Sequence, residues 1–480
     1  MPETILIFDL GLTNCKAVAF TPQGEIVARA AIPYPTYRPQ PGWVEQSPAD
    51  WWQAMIAALD QVRAQSPAAL EQTVAISVTA HMHALVCLGA NGDALGSALV
   101  LGDQRALAEA EAITAAVGLE RIYRITGARM DASMPLAKIA WLRQHAPEIH
   151  HQTRAFLACK DYLRHWLTGD LLTEPVDACG MSAYDIQRGN WSPELMEQAG
   201  IRADQLPQVA DPCAIAGALL PAAARELGLK PGIPVVVGAG DDVEVLGNGM
   251  LEAGTTLEHM GTTGSILSVT DHPVYDPQMA LELYPHIMSG KWVLGGSVTA
   301  AGSALAWADE VLRVDHSAPY VSHPPDLDQP LIFIPHLSGE RCPAWNPAAR
   351  GAWLGLSAAH TSTDLRQAVW EGVMFSLKQV LEQIEALAGP QAHISISERG
   401  DENELIARAS LYGRPLAVLR SPEPTALGAM IVAAVGVGMY GSLTEAVERV
   451  TGWQRLIPVD EGLCQSYAAL YIRYQNSPAC

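Results

Sequence analysis

FDLGLTNCKAVAF, residues Phe8–Phe20, places a short glycine and hydroxyl turn between two apolar runs, the pattern of a β-hairpin with backbone N–H groups exposed at its tip. About 250 residues later HMGTTGSILSV, His259–Val269, repeats it, and an acidic turn, GAGDD, at 238–242 precedes the second copy. Each tip suits an anion, and the pair suits one polyphosphate shared by two domains. Ile5–Phe8, Ala17–Phe20 and Ile26–Ala30 around the first turn read as a three-stranded meander. The strand, hairpin and strand order recurs at Thr255–Val269, a coarse internal duplication.

At 480 residues the chain exceeds what one core usually supports, so two domains are expected, 1–247 and 248–480, with the boundary near Gly247–Glu252. Apolar residues make up 49%, which argues against disorder. A net charge of −21 disfavours nucleic-acid and anionic-membrane partners, so a negative ligand has to be held locally. The eight scattered cysteines form no C-x-x-C pair, as expected in a reducing compartment. Neither the ILIF opening nor Ala426–Met439 is long enough for a signal-peptide core or a membrane span, and a cytoplasmic location is expected.

Further strands are expected at Val74–Thr79, Ala84–Leu88, Ala98–Leu101 and Val235–Val237, and a helix from Leu136 to His145. Ser47, Pro48 and Asp50 predict a capping box, opening a helix that buries Trp52, Met55, Ile56, Leu59 and Val62. A longer helix is predicted over 364–388, burying Leu365, Ala368, Val369, Gly372, Val373, Ser376, Leu377 and Val380, with Gly389-Pro390 as its stop. In a third, 426–440, Gly428, Gly436 and Gly438 lower helix propensity and imply close approach of another backbone. His316–Pro330 is proline-rich and reads as a surface loop.

Asp9, Gly11, Thr13, Asn14 and Lys16 put an acid, flexible backbone, hydroxyl and cation on one turn, which suits a metal-bound phosphate; the plainer reading is a hairpin with a capping Asp. Gly261, Thr262, Thr263 and Gly264 carry the same two readings. Asp241 leaves an apolar strand through Gly-Ala-Gly, a context suited to accepting a hydroxyl proton or, more simply, to capping the next segment. Asp242 crowds charge beside it, while Glu244 is expected to face solvent. His81, Met82 and His83 lie between strands; polar substrate contacts are favoured there over an H-x-H metal site, for which no adjacent third ligand exists. Asp103, Gln104 and Arg105 can hydrogen-bond a polyol or pair with one another.

These residues resemble the FGGY family of carbohydrate kinases over nearly the whole chain. Ser133-x-Pro135-x-x-Lys138-Ile139-x-Trp141-Leu142-x-Gln144-His145 matches one family signature at every defined position. Gly351-x-Trp353-x-Gly355-Leu356, Asp364-Leu365-x-x-Ala368-Val369 and Glu371 follow the other closely. LACKDYLRHWLTGDLLTEPVDACG and HLSGERCPAWNPAARGAWLGLS are most similar to segments of xylulokinases.

The resemblance implies an α/β fold of the actin-like, ribonuclease H-like type, duplicated, with two domains around a cleft. It implies transfer of a phosphoryl group from ATP to a sugar hydroxyl, with a ketose such as xylulose as first choice. Kinases of another polyol or aldonate, a sugar-binding sensor that has lost nucleotide, and an actin-like assembling ATPase are the alternatives. By the same resemblance Asp241 is the general base, Asp9 and Asp241 hold Mg²⁺, and Met82, His83, Asp103 and Asp241 fix the sugar. Gly11, Thr13, Asn14, Lys16, Gly261, Thr262, Thr263, Gly302, Gly400 and Asn403 form the nucleotide side. A homodimer is compatible with this reading.

The chain departs from the family pattern in three places. Leu12 stands for a threonine, Leu101 for the tryptophan of W-x-D-x-R with His81 for the Gln before Met82, and Ser397-Glu398-Arg399-Gly400 for a glycine-rich adenosine turn.

Overall fold

The structure, a computed structural model, describes residues 3–315, 317–397 and 400–477. The chain forms two compact units: Met1–Gly249, Tyr284–Gly290 and Glu423–Thr451 in the first, and Met250–Leu283, Lys291–Pro422 and Gly452–Cys480 in the second. Where the sequence reading makes a single cut, the chain returns to its first unit late. Helix Pro424–Gly436 packs there on strands Thr4–Leu10 and Thr73–Ala80.

The first unit is built on a six-stranded sheet ordered Ile215–Ala218, Pro234–Val236, Thr73–Ala80, Thr4–Leu10, Asn14–Phe20 and Ile26–Pro33. The last three form the antiparallel meander. Thr73–Ala80 runs parallel to Thr4–Leu10, Pro234–Val236 parallel to Thr73–Ala80, and Ile215–Ala218 closes the edge antiparallel. The second unit repeats this. Trp292–Val298, Gly264–Thr270 and Thr256–Met260 form its meander, Ile394–Ile396 and Leu416–Leu419 follow in parallel, and Trp453–Ile457 is antiparallel at the edge. The duplication inferred from two hairpins therefore extends to the direction of every corresponding strand.

Strand Thr4–Leu10 is buried along its whole length, which explains a near-continuous apolar run rather than alternation. The excursion between Ala80 and Pro234 builds a smaller second core around Ile113, Ile122, Leu136, Ile139, Phe156 and Leu195.

Helix Pro48–Gln65 starts after Ser47, but the expected capping box is absent: Ser47 makes no side-chain cap, and Asp50 accepts the Tyr37 hydroxyl at 3.0 Å. The box forms instead on helix Ser362–Ala388, where Thr361 and Asp364 bond each other's backbone N–H. In helix Pro424–Gly436 a Cβ on Gly428 would lie 2.0 Å from the Val243 carbonyl oxygen, and one on Gly436 2.4 Å from that of Cys213. Close backbone approach thus explains both. Gly438 is different: it lies past the helix end at φ +78° with open space around it, so it serves a left-handed turn.

Residues 317–330 contain no helix or strand, yet Tyr320 donates to Asp309 at 3.1 Å and stacks under the Arg366 guanidinium at 3.8 Å. His316 lies outside the described residues. Among the described residues no helix is long and apolar enough to cross a membrane, and the seven described cysteines are free thiols.

Glu371, inside helix Ser362–Ala388, is 5% exposed and accepts from Gln367 Nε2 at 3.0 Å. Burial raises its carboxyl from 4.5 to about 7. Between those values the folded state holds a proton that the unfolded state has released, so stability present below 4.5 is lost as pH rises through 7. Glu371→Gln removes that titration. It is expected to flatten the loss between pH 5.5 and 8 and to leave the variant more stable at pH 8, by on the order of 2 kcal/mol, in urea unfolding. An unchanged pH slope would show that Glu371 is ionised at little cost in the fold.

Candidate active site

Asp9 ends the buried central strand and faces Lys16 across the hairpin register. The Lys16 ammonium lies 3.4 Å from Asp9 and 2.8 Å from Glu423, and Glu423 also pairs with Arg29 at 2.8 Å. Burial opposes the Lys16 charge, but Asp9 and Glu423 outweigh it and raise its pKa. Lys16 is thus occupied by carboxylates rather than carried free at the turn. Burial is also the main cause that raises Asp9, against the pull of Lys16.

At the tip, Gly11 N–H donates to Asn14 O at 3.0 Å, and Asn14 Nδ2 reaches the Thr13 hydroxyl at 3.3 Å. The Gly11 carbonyl accepts from the Tyr34 hydroxyl, that of Leu12 from Gln46 Nε2 at 2.9 Å, and that of Thr13 from Tyr34 N–H at 3.3 Å. Three successive carbonyls are thus engaged within the protein, and the Thr13 side chain is exposed at the tip. Leu12 brings no hydroxyl to it.

Gly238 turns the chain after strand Pro234–Val236 at φ +74°, where a Cβ would meet Val78 O at 2.5 Å. Asp241 then opens a 3-10 turn that leads into Glu244–Gly247; it makes no cap bond, so the capping reading fails. Asp241 is partly buried, and its carboxyl is raised well above the ordinary range, first by burial and then by Asp242, Glu244, Asp177 and Asp9. Glu244 is 8% exposed, a correction to the solvent-facing position expected for it. Helix Pro424–Gly436 packs on this segment and covers most of it.

Met82 and His83 lie beside the same loop. Met82 Cγ is 3.3 Å from the position of a Cβ on Gly240, and its Cε is 2.7 Å from one on Gly180. His83 adopts φ +63°, and its Nδ1 contacts Gly180 O at 3.1 Å. The buried His81 ring packs edge-on to Trp51, and burial lowers it to about 4, so it is neutral at physiological pH. Among the described residues no three His, Cys, Asp or Glu side chains gather to hold a metal by themselves.

Asp103 is held from within the protein. It is fully buried and accepts from Val44 N–H at 2.6 Å and from Arg105 N–H, Nε and Nη2 at 3.1, 2.9 and 2.8 Å. Both carboxylate oxygens accept bonds within the protein, and Asp103 orients Arg105. Arg105 stacks on Trp43 at 3.7 Å, and Trp43 meets Trp141 edge-on at 5.4 Å. Trp43, which sequence reasoning missed, supplies an indole next to this segment although position 101 has lost one. No local motif marks it.

In the second unit, Gly302 N–H donates to Gly261 O at 3.0 Å, and the N–H groups of Ala301 and Ser303 donate to Thr262 O. A Cβ on Gly302 would sit 2.4 Å from Gly261 O. Gly302 therefore lets the helix start seat against the hairpin, while Thr262 and Thr263 remain exposed. Asn403 N–H bonds the Asp401 cap at 2.7 Å, and Asn403 lines a cavity of about 210 Å³ with Val321, Ile406, Leu463 and Tyr467. Gly400 packs near Leu405; Glu398 and Arg399 of the altered turn lie outside the described residues.

Two homologous sheets, hydroxyl-bearing hairpins and an acid following a buried strand define an actin-like sugar phosphotransferase. Residues 4–246 match the N-terminal domain, and residues 259–437 the C-terminal domain, of the FGGY family of carbohydrate kinases. The chain belongs to that family and is an ATP-dependent carbohydrate kinase. It is 30% identical to the xylulose kinase of Escherichia coli (strain K12), over 98% of this chain and 96% of that protein. It is 27% identical to the gluconokinase of Bacillus subtilis (strain 168), over 96% and 93%. Its fold is similar to a crystal structure described as a xyloylose kinase from Brucella ovis, with TM-score 0.89, 27% identity and 98% of each chain covered.

Proposed function

We propose that this kinase phosphorylates a small ketose, with xylulose the first candidate and an aldonate such as gluconate the second, and that Asp241 is its general base. The observation that carries the reading is the place of Asp241, partly buried on the loop that packs against Met82, next to His83, with its carboxyl raised by burial and by neighbouring acids. A carboxylate raised in this way is a stronger base than an exposed one. It takes the proton of the attacking hydroxyl as that oxygen bonds to the γ-phosphorus of ATP; the bond from phosphorus to the bridging oxygen breaks, and ADP leaves.

Thr13, Thr262 and Thr263 offer exposed hydroxyls for phosphate oxygens, and Asn403 with its cavity offers an apolar slot suited to a base ring. Asp9 and Asp241 fit a hard divalent cation: Asp9 is among the acids that raise Asp241, and one or two carboxylates are what Mg²⁺ takes when phosphates complete its shell. When bound, Mg²⁺ neutralises charge on the transferring phosphoryl group. A cytoplasmic location fits a chain with scattered free thiols.

The test is ADP release with Mg-ATP over a panel of pentuloses, hexuloses, aldonates and polyols. One or two substrates should stand well above background, xylulose or gluconate among them. Sugar binding with neither ATP binding nor ADP release would establish the sensor alternative.

A further inference from the structure

Residues 159–177 place six charged side chains beneath the Asp241 loop, and the proposed reaction uses none of them. Glu174, fully buried, accepts Val176 N–H at 2.6 Å and Asp177 N–H at 2.9 Å at the start of the short helix Pro175–Gly180. It also accepts Gly240 N–H at 3.1 Å, from the residue immediately before Asp241. Asp177 lies under the same glycine, with Oδ1 3.0 Å from where a Cβ on Gly240 would be. Lys160 lies 3.2 Å from Asp177 and 3.9 Å from Glu174 and is shared with Asp161 at 2.6 Å. Arg164 holds the incoming strand through Val237 O at 2.8 Å.

The other end of the helix reaches the sugar-side loop. Gly180 O contacts His83 Nδ1 at 3.1 Å, and Met82 fills the space between Gly180 and Gly240. One helix therefore touches the residue preceding the base and the two residues beside the sugar. A Ser or Asp would cap so short a helix without burying a longer acid. Burying Glu174 and Asp177 is costly, and the extra reach is spent on Gly240.

We propose that Glu174 is a positioning residue for the phosphoryl transfer: with Asp177 and Lys160 it makes Pro175–Gly180 a bracket that fixes Asp241 relative to Met82 and His83. This rests on Asp241 being the base. Removing the bracket should slow the chemical step while leaving ligand affinity nearly intact, because a small misplacement of a base costs rate before it costs binding.

The experiment measures kcat, both KM values and thermal midpoints for Glu174→Gln, Gly240→Ala, Asp241→Asn and the double variant Glu174→Gln/Asp241→Asn, with xylulose, or gluconate if that is the sugar turned over, and Mg-ATP. Glu174→Gln keeps the side chain's size but brings one neutral acceptor oxygen to three N–H groups and loses the charge facing Lys160, which weakens its hold on Gly240 N–H. It is expected to lower kcat about 10-fold or more with KM values within about threefold. In the Asp241→Asn background the same change should cost less than about threefold, since Glu174 acts through Asp241. Gly240→Ala leaves every buried charge in place and drives a methyl against Asp177; it should reproduce the kcat loss, and it decides the matter if Glu174→Gln does not fold.

A fall in thermal midpoint with kcat within twofold of wild type for both variants, or a full additive loss in the double variant, would overturn the bracket and leave Glu174 a structural residue. If Asp241→Asn loses turnover and the other two do not, the base assignment survives and the bracket falls. If Asp241→Asn keeps turnover, both fall.

Discussion

Asp241→Asn is expected to lower kcat by at least about 10²-fold while sugar affinity, read by calorimetry, stays within about threefold. Asparagine preserves shape and one acceptor oxygen but cannot take a proton, so the loss falls on the transition state. The neighbouring acids make the prediction sharper. Asp241 is raised first by burial and then by Asp242, so the base is protonated, and idle, at pH values where an exposed aspartate would be ionised. The acidic limb of kcat should therefore lie above the ordinary aspartate range, with rate lost as pH falls through the raised value. Asp242→Asn removes the largest like-charge neighbour and should move that limb to lower pH while keeping most of the plateau rate. If Asp242→Asn abolishes turnover and Asp241→Asn does not, the roles of the two acids are reversed.

What the sequence made legible follows from local rules. The meander around Gly11 and its repeat around Gly261 were readable because hairpins declare themselves through turn residues between apolar runs. Gly428 and Gly436 were readable because a glycine inside an apolar helix needs a reason, and a carbonyl oxygen 2.0 or 2.4 Å from the missing Cβ is that reason. Gly438 carries the same letter with another cause, since helix ends move by a few residues and the sequence alone does not say where this one stops. Asp50 had the spacing of a capping box but found a better partner in the Tyr37 hydroxyl.

The site was less legible for a physical reason. A charged residue in a motif shows that charge is needed, not whether it faces a ligand or another charge. Asp103 and Lys16 both turned out to be paired within the protein, Asp103 with Arg105 and Lys16 with Asp9 and Glu423, the latter about 400 residues away in the chain. Glu244 was misplaced because the helix that covers it, Pro424–Gly436, arrives from the far end of the sequence. Glu174 and Lys160 stood in quoted motifs without a task, which only their distances supplied.

Lys138→Met is expected to destabilise the first unit and to raise the sugar KM more than the ATP KM. Lys138 is fully buried on helix Pro135–His145, and its Nζ donates to His83 O at 2.8 Å, Val100 O at 2.9 Å and Leu99 O at 3.2 Å. Burial pulls the amine down to about 7, with Asp103 and Asp131 acting against that pull; three carbonyl acceptors match the three N–H bonds of the ammonium form. Methionine fills the same channel with no donor. Leu99 O still accepts from Leu85 N–H and Val100 O from Asp103 N–H, so the cost falls mainly at His83 O and a loss of about 1–3 kcal/mol in denaturant unfolding is expected. One of the three belongs to His83, whose left-handed backbone at φ +63° is held from both sides, by Lys138 at its carbonyl and by Gly180 at its ring. Freeing the carbonyl lets this non-glycine residue relax toward negative φ, which swings Met82 and His83 away from the Asp241 loop. A loss below about 1 kcal/mol with unchanged sugar KM would mean that water replaces the ammonium and that His83 keeps its conformation without it.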